Sequence, residues 1–367
     1  MKTRREFLAA AAGAASVVLL SACGQTASPS AAPSAASPSA PSPAVSPSGL
    51  NASKAASASA QAKPALTKIT AAFPSVSGST TVIWLAKEAG IFAANGLDVG
   101  FSVVTGGARA MAALISGETQ FNHGGGPEPI NANLTGADIV VVGNISPVYP
   151  YKLYVPADIK SATDLKGKKV DVGSFGTSIE IATRIGLKKL GLNPDMDVTL
   201  VATGTHQTGT AALFSGAVQA RMDNLPAAAQ LEAHGFHALF DLAALKVPAP
   251  TTLVVAQRTF LTSQRAVAQK YADSIVQATA RARKDKALTV SVMKKYFKSN
   301  DEAVMAATYD YFIGQVTPAL PYPRPEQFAD AIDFISKTNP KAKGVDLGKL
   351  LDPSFVQSAA DRGLDKA

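Results

Sequence analysis

Apolar positions along this chain fall into short blocks that alternate between two periods. Leu97, Val99, Phe101 and Val103 alternate with Asp98, Gly100 and Ser102, the period of a strand with one covered face. Lys68-Ile69-Thr70-Ala71-Ala72-Phe73 reads as a strand stopped by Pro74, and a helix is expected from Thr80 to Ala94. Asn95-Gly96 should close that helix, because both residues tolerate a left-handed cap. Strand-like and helix-like stretches continue to alternate up to about Ala256, which predicts an α/β fold. Four further helices are expected at Thr259–Asp285, Ala287–Lys298, Asp301–Gly314 and Pro325–Thr338.

The pattern repeats internally. Thr105-Gly106 leads into Ala112-Ala113-Leu114-Ile115-Ser116-Gly117-Glu118-Thr119-Gln120, and Thr203-Gly204 leads into Ala211-Ala212-Leu213-Phe214-Ser215-Gly216-Ala217-Val218-Gln219. Both copies read T-G, spacer, A-A-L-x-S-G-x-x-Q, so the body is expected to hold two similar βαβ lobes. The second lobe is expected to be inserted in the first. Ile139–Asn144 and the stretch through Tyr154 lead out, Thr251–Ala256 leads back, and a hinge is expected near Tyr149–Pro156 and Thr251–Gln257.

The N-terminus has a different texture. Lys2, Arg4 and Arg5 precede the uncharged apolar run Ala9–Leu20, too short for a membrane span and read as a signal segment. Arg4-Arg5 followed by Phe7-Leu8 resembles a twin-arginine export signal. Leu20-Ser21-Ala22-Cys23 resembles a lipoprotein cleavage box, in which Cys23 would be acylated. After it, Ala, Ser and Pro dominate to Leu66, a composition that cannot offset the entropy of ordering. The expected organisation is therefore a signal peptide at 1–22, a disordered linker at 23–66, the first part of lobe 1 at 67–151, lobe 2 at 152–256, and the completion of lobe 1 with C-terminal helices at 257–367.

Composition narrows the chemistry. With 47% hydrophobic and 17% charged residues, the 367-residue chain can bury a core. Its net charge of +8 is spread out, with no dense basic run beside aromatics, so nucleic acid is not an expected partner. One cysteine excludes internal disulfides and multi-cysteine metal sites. His234-Gly235-Phe236-His237 has tempting spacing, but Gly235 would break the helix needed to present both rings, so no metal is expected. Gly204-Thr205-His206-Gln207-Thr208-Gly209-Thr210 mimics a phosphate loop with Thr210 where lysine is required. Gly124-Gly125-Gly126 runs straight into Pro127 and is no dinucleotide fingerprint. No catalytic set and no cofactor are expected.

Polar loops stand instead where strands should end and helices begin. Candidate ligand-binding residues there are Ser77, Ser79, Thr80, Thr105, Gly106, His123, Gly124, Thr177, Ser178, Gly204, His206, Asp223 and Asn224. Ligands of open sheets bind at those ends, where helix N-termini favour acceptor-bearing groups. Arg109 is placed to reach an anion, whereas Asp223 argues for a ligand that also carries an amine.

Leu85-Ala86-Lys87-Glu88-Ala89-Gly90-Ile91-Phe92 followed by Asn95-Gly96-Leu97-Asp98-Val99 resembles the opening of nitrate/sulfonate/taurine-type substrate-binding proteins of ABC importers. Asp164-Leu165-Lys166-Gly167-Lys168-Lys169-Val170 resembles their entry into the second lobe. The resemblance implies a type II periplasmic-binding-protein fold, with a cleft between two βαβ lobes and C-terminal helices on lobe 1. It further implies a monomeric, extracytoplasmic, lipid-anchored protein that captures a small solute by lobe closure and hands it to an ABC permease. The expected solute is a small organic molecule with an acidic group, or an anion such as a sulfonate, taurine or nitrate. The alternatives are a thiamine-precursor pyrimidine-binding protein, a pyrimidine synthase-like enzyme and a ligand sensor on the same fold. The enzyme would need a cysteine-rich motif, and the sole cysteine is Cys23.

Overall fold

The alternation read at the start of the body becomes two parallel strands, β1 (Thr67–Phe73) and β2 (Leu97–Val103), with Thr67 beside Leu97 and Phe73 beside Val103. The structure is a computed structural model that describes residues 65–366. The expected signal peptide, nearly all of the expected linker and the lipidation site Cys23 lie outside the described residues.

Between these strands the single expected helix is divided. A 3-10 turn at Gly78–Thr80 leads into α1 (Thr81–Glu88), and α2 (Ile91–Ala94) follows. Gly90, with a left-handed φ of 69°, makes the break. The chain continues through α3 (Gly107–Ile115), β3 (Phe121–Asn122), α4 (Pro127–Leu134) and β4 (Ile139–Val148). Next come β5 (Lys152–Val155), β6 (Lys169–Asp171), α5 (Ser178–Lys189), β7 (Thr199–Val201) and α6 (His206–Phe214). Then β8 (Ala220–Asp223), α7 (Ala227–Ala233), β9 (His237–Asp241) and β10 (Pro248–Gln257) follow.

These strands make two five-stranded sheets of the same plan, β2-β1-β3-β10-β4 and β7-β6-β8-β5-β9. In each, three parallel strands meet a fourth, β10 or β5, that runs antiparallel to both of its neighbours. The repeat has a physical cause. Gln120 accepts from Thr70 N (2.9 Å) and donates to Gly117 O (3.2 Å), while Gln219 accepts from Lys169 N (3.1 Å) and donates to Gly216 O (2.6 Å). Gly117 and Gly216 turn the chain with φ of 81° and 71°. Each motif thus ends a helix, reverses the chain and pins the next strand to the middle of the three parallel strands, β1 or β6.

The chain closes with α8 (Arg258–Ser263), α9 (Arg265–Lys284), α10 (Lys286–Phe297), α11 (Glu302–Tyr311), α12 (Ala329–Ser336), α13 (Leu347–Leu350) and α14 (Ser354–Asp361). Helices α9, α10 and α11 build one core with α1 and one face of the first sheet. The other face shares a second core with α3, α4, α12 and the second sheet. Helix α12 packs on β10 and α4 at the first sheet and reaches α5 of the second as well. Of the two expected hinge segments, Tyr149–Pro156 spans the gap between β4 and β5. Thr251–Gln257 lies inside the β10–β4 ladder, and the chain returns through residues 242–247.

Replacing Gln120 or Gln219 with alanine should each lower unfolding free energy by about 1 kcal/mol, with additive losses in the double variant. Urea denaturation checks this, and a loss at only one position would break the equivalence of the two motifs.

Candidate functional site

The loops after the parallel strands of both sheets line one cavity of about 920 Å³. Ser77, Ser79, Thr80, Thr105, Gly106, His123 and Gly124 line it from the first sheet, and Thr177, Ser178, Gly204 and His206 from the second. Asp223 and Asn224 are not on its lining: both are buried, and Asp223 sits behind Arg221.

Many of the hydroxyls already have local work. Ser77 Oγ accepts from Ser79 N (3.4 Å), Thr80 Oγ1 donates to Ser77 O (2.6 Å), and Ser79 Oγ accepts from Thr252 Oγ1 (2.8 Å). Thr177 Oγ1 donates to Ser174 O (2.7 Å). Ser178 differs, for its Oγ is shut off from solvent and has no hydrogen-bond partner among the described residues. Gly204, like Gly106, takes a left-handed φ, 94° against 95°, at the turn into the following helix.

His123 faces the cavity with a ring that is already satisfied. Its Nδ1 lies 3.0 Å from Leu253 O and must donate, which leaves Nε2 to accept from Tyr271 OH at 2.8 Å. Burial pulls its pKa down to about 3, so it stays neutral and offers no nitrogen to a ligand.

Arg221, Glu128 and Tyr151 are among the lining residues that escaped the sequence reading. Arg221 is buried between Asp171 Oδ2 (3.5 Å) and Asp223 Oδ2 (3.1 Å), and donates to His206 O (3.1 Å). Burial works to raise the Asp223 carboxyl, but the hydrogen bond from His206 and the Arg221 charge hold it below the usual carboxylate range. Asp171 Oδ1 also accepts from Gly173 N and Thr203 Oγ1, both at 2.8 Å. A Cβ on Gly209 would strike Arg221 Nη1, so the phosphate-loop mimic exists to admit this guanidinium. The signal was present in Ala220-Arg221-Met222-Asp223, whose strand period puts Arg221 and Asp223 on one face. Glu128 stands in the first turn of α4 and is half-buried, and burial raises its carboxyl to about 7. Arg109 is exposed on the lining and has no ion-pair partner among the described residues. No trio of His, Cys, Asp or Glu is arranged to hold a metal ion, and no helix is long and apolar enough to cross a membrane, among the described residues.

The profile of the NMT1/THI5-like family matches residues 78–287, more than half of the chain. The chain belongs to the NMT1/THI5-like family. A Brucella abortus (strain 2308) protein named as a binding protein is 32% identical over 123 residues, 33% of this chain. That match spans only 37% of the relative's own length. The family member's fold is that of type II periplasmic binding proteins. It is similar to the periplasmic aliphatic sulphonate binding protein of Escherichia coli, with TM-score 0.64 and 22% identity over 77% of this chain and 91% of that one. It is similar also to the periplasmic nitrate-binding protein of Synechocystis PCC 6803, with TM-score 0.64 and 14% identity over 81% and 89%. The desulfurization enzyme DSZB shares the fold too, with TM-score 0.61 and 17% identity over 81% and 99%.

Two outcomes follow for this site. Arg221→Met should lower unfolding free energy by about 3–5 kcal/mol, because it strands two buried carboxylates. Chemical denaturation checks this, and a loss below about 1 kcal/mol would show that the guanidinium is not structurally committed. His123 sets an acid limit, because its unfolded form takes a proton below the ordinary value of 6.5 and its folded form does not. The His123 contribution should therefore fall with acidification by about 1.4 kcal/mol per pH unit below that point, while Glu128, raised to about 7, contributes with the opposite sign between its ordinary value of 4.5 and about 7. Urea denaturation at several pH values should show the stability difference between wild type and His123→Gln shrinking with this slope as the pH falls.

Proposed function

We infer that the protein is an extracytoplasmic solute-binding component of an ABC importer, which closes two lobes on a small organic molecule and hands it to a permease. The observation that carries the reading is the single cavity lined from both sheets by polar loops and helix starts. Its volume of about 920 Å³ suits an organic solute far better than an inorganic ion, small-molecule sites spanning about 300–1,000 Å³. The starts of α3, α5 and α6 and the uncommitted Arg109 favour an acidic group on that solute. The likeness to sulphonate- and nitrate-binding proteins supports the same reading. In it the two lobes are residues 67–148 with 248–366, and 152–241, joined through the segments at 149–151 and 242–247. Export by the N-terminal signal, acylation of Cys23 and a tether through the Ala/Ser/Pro tract would hold a monomer at the membrane.

The likeness to DSZB favours a second reading, an enzyme that turns over a sulfur compound. Against it, the chain's only cysteine is Cys23, far from the cavity in sequence, and His206 Nδ1 is engaged by Asp223 Oδ1 at 3.2 Å.

A thermal-shift screen of alkanesulfonates, aromatic sulfonates, carboxylates, pyrimidine thiamine precursors and nitrate tests the proposal. An organic hit at a hundredfold excess over its dissociation constant should stabilise the native state by about 2.7 kcal/mol. Arg109→Ala should weaken an anionic hit about tenfold or more, and mass spectrometry should recover the ligand unchanged. Stabilisation by nitrate alone would refute the size argument, and conversion of the ligand would establish the enzyme.

A further inference from the structure

One part of the cleft holds polar atoms that nothing in the protein satisfies. Glu128 Oε2 and Ser178 Oγ are both shut off from solvent without a hydrogen-bond partner. They come from opposite sides, Glu128 from the first turn of α4 after the first sheet and Ser178 from the start of α5 in the second. The two oxygens meet over Gly125, where a Cβ would strike Ser178 Oγ and lie 3.2 Å from Glu128 Oε2. A Cβ on Gly107 would strike Glu128 Oε1, so glycines on two loops make room for this carboxyl. Tyr151 is buried on the same lining, and its hydroxyl is pushed up by burial and then by the charges of Asp223 and Glu128.

This cluster lacks a positive charge. Arg221 is held by Asp171 and Asp223. Elements packed on α4 carry Arg109 on α3, Asp330 and Asp333 on α12, and Lys341 and Lys343 in the 340–344 turn, while β4 carries no charge. None of them perturbs Glu128, whose carboxyl is raised to about 7 by burial and opposed only by its own backbone amide. A carboxylate in this setting is matched by a cation that arrives with the ligand.

We propose that Glu128 Oε2, together with the hydroxyls of Ser178 and Tyr151, is the subsite for a protonated nitrogen of the solute, an ammonium or amidinium. The solute is then zwitterionic, its cationic nitrogen on Glu128 and its acidic group toward Arg109. This rests on the reading of the cavity as a solute site. The N–H groups donate to the carboxylate and to the hydroxyl oxygens, and binding releases the proton that Glu128 holds in the empty cleft. Glu128 acts here as the specificity-determining residue, because a neutral donor could pair its oxygen but only a cation also balances the charge of the buried carboxylate.

The test uses matched probes that differ only at the nitrogen. Taurine, homotaurine, β-alanine, γ-aminobutyrate and an aminomethyl benzoate are each paired with the hydroxyl counterpart and measured by thermal shift and calorimetry on the full chain. The amine member should bind at least about tenfold more tightly in any pair that binds. Its affinity should rise between about pH 6 and 8 as Glu128 loses its proton. Glu128→Gln should abolish both the preference and the pH slope while melting no lower than wild type without ligand. Ser178→Ala should weaken binding several-fold and keep the preference. Equal binding of the hydroxyl members, survival of the preference in Glu128→Gln, or tighter binding at lower pH would overturn the proposal and leave the solute-binding reading standing. If neither these probes nor the wider panel binds, that reading falls and the subsite falls with it.

Discussion

Two long antiparallel strands, β4 and β10, fix what every other element can do. Their side chains sort by face: Val140, Val142, Val254 and Ala256 enter one core, and Ile139, Val141, Leu253 and Val255 enter the other, while Ile145 joins the first core further along β4. Strands covered on both faces must satisfy their backbone within the sheet, and this pair does so over most of its length. Asn144, fully buried, ties the pair to its surroundings by donating to Ala249 O and Gln327 Oε1, both at 2.9 Å. Thr251 Oγ1 adds a bond to Val148 O at 2.8 Å, next to the point where the chain leaves for the second sheet. The crossing thus starts from the end of this ladder, and the second core runs on through Tyr149, Tyr151 and Leu153 to Phe328 and Ile335. Apolar contact joins the two sheets at the crossing, while polar loops bound the cavity between them.

The same division governs charge. The best-buried cation of the cavity, Arg221, is spoken for by two carboxylates, so it shapes the wall and lends little field to a ligand. Recognition then falls to backbone N–H groups at helix starts, to hydroxyls and to the few charges left unpaired, Arg109 and Glu128. The amides, the hydroxyls and the exposed Arg109 fix orientation without the large desolvation penalty of a buried free ion, and Glu128 carries that penalty until a ligand arrives. It also explains why Ser77, Ser79 and Thr80 are engaged with one another: a loop that must hold its amides toward a cavity needs its own hydroxyls to keep its shape.

The scaffold was legible in the sequence wherever a local rule had a local cause. The A-A-L-x-S-G-x-x-Q repeat could be read because its serine and glycine, and the bond from each glutamine back to Gly117 O or Gly216 O, act within a few residues, although each glutamine also reaches a strand fifty residues earlier. The helix expected over Thr80–Ala94 erred at Gly90, where periodicity continued through a left-handed residue. The helix expected over Thr259–Asp285 likewise breaks at Gln264. The site was less legible, because its chemistry depends on partners distant in sequence. His123 reads as a candidate ligand contact until Leu253 and Tyr271 are found on its two nitrogens. Asp223 reads as a cleft acid until Arg221 is found in front of it. Glu128 was passed over because Gly124-Gly125-Gly126-Pro127 was weighed as a nucleotide fingerprint and as a polar loop, whereas Gly125 serves close approach to Ser178 and Glu128.

Contrast between these two kinds of position separates scaffold from site. Gln120 N and Gln219 N donate to Thr70 O and Lys169 O at 2.9 and 2.8 Å, so two distant motifs reproduce one geometry almost unchanged. A chain that satisfies its structural amides so regularly leaves Glu128 Oε2 and Ser178 Oγ unsatisfied on the wall of the cavity that both sheets line. Orphaned buried oxygens are unfavourable in the empty protein, and folding alone gives no reason to keep both. Satisfaction from outside the chain does: a donor that enters the cleft removes the penalty at the moment of binding, and only when the residues from both sheets are brought together around it. The missing hydrogen bonds are therefore where affinity and specificity can be set by the same atoms.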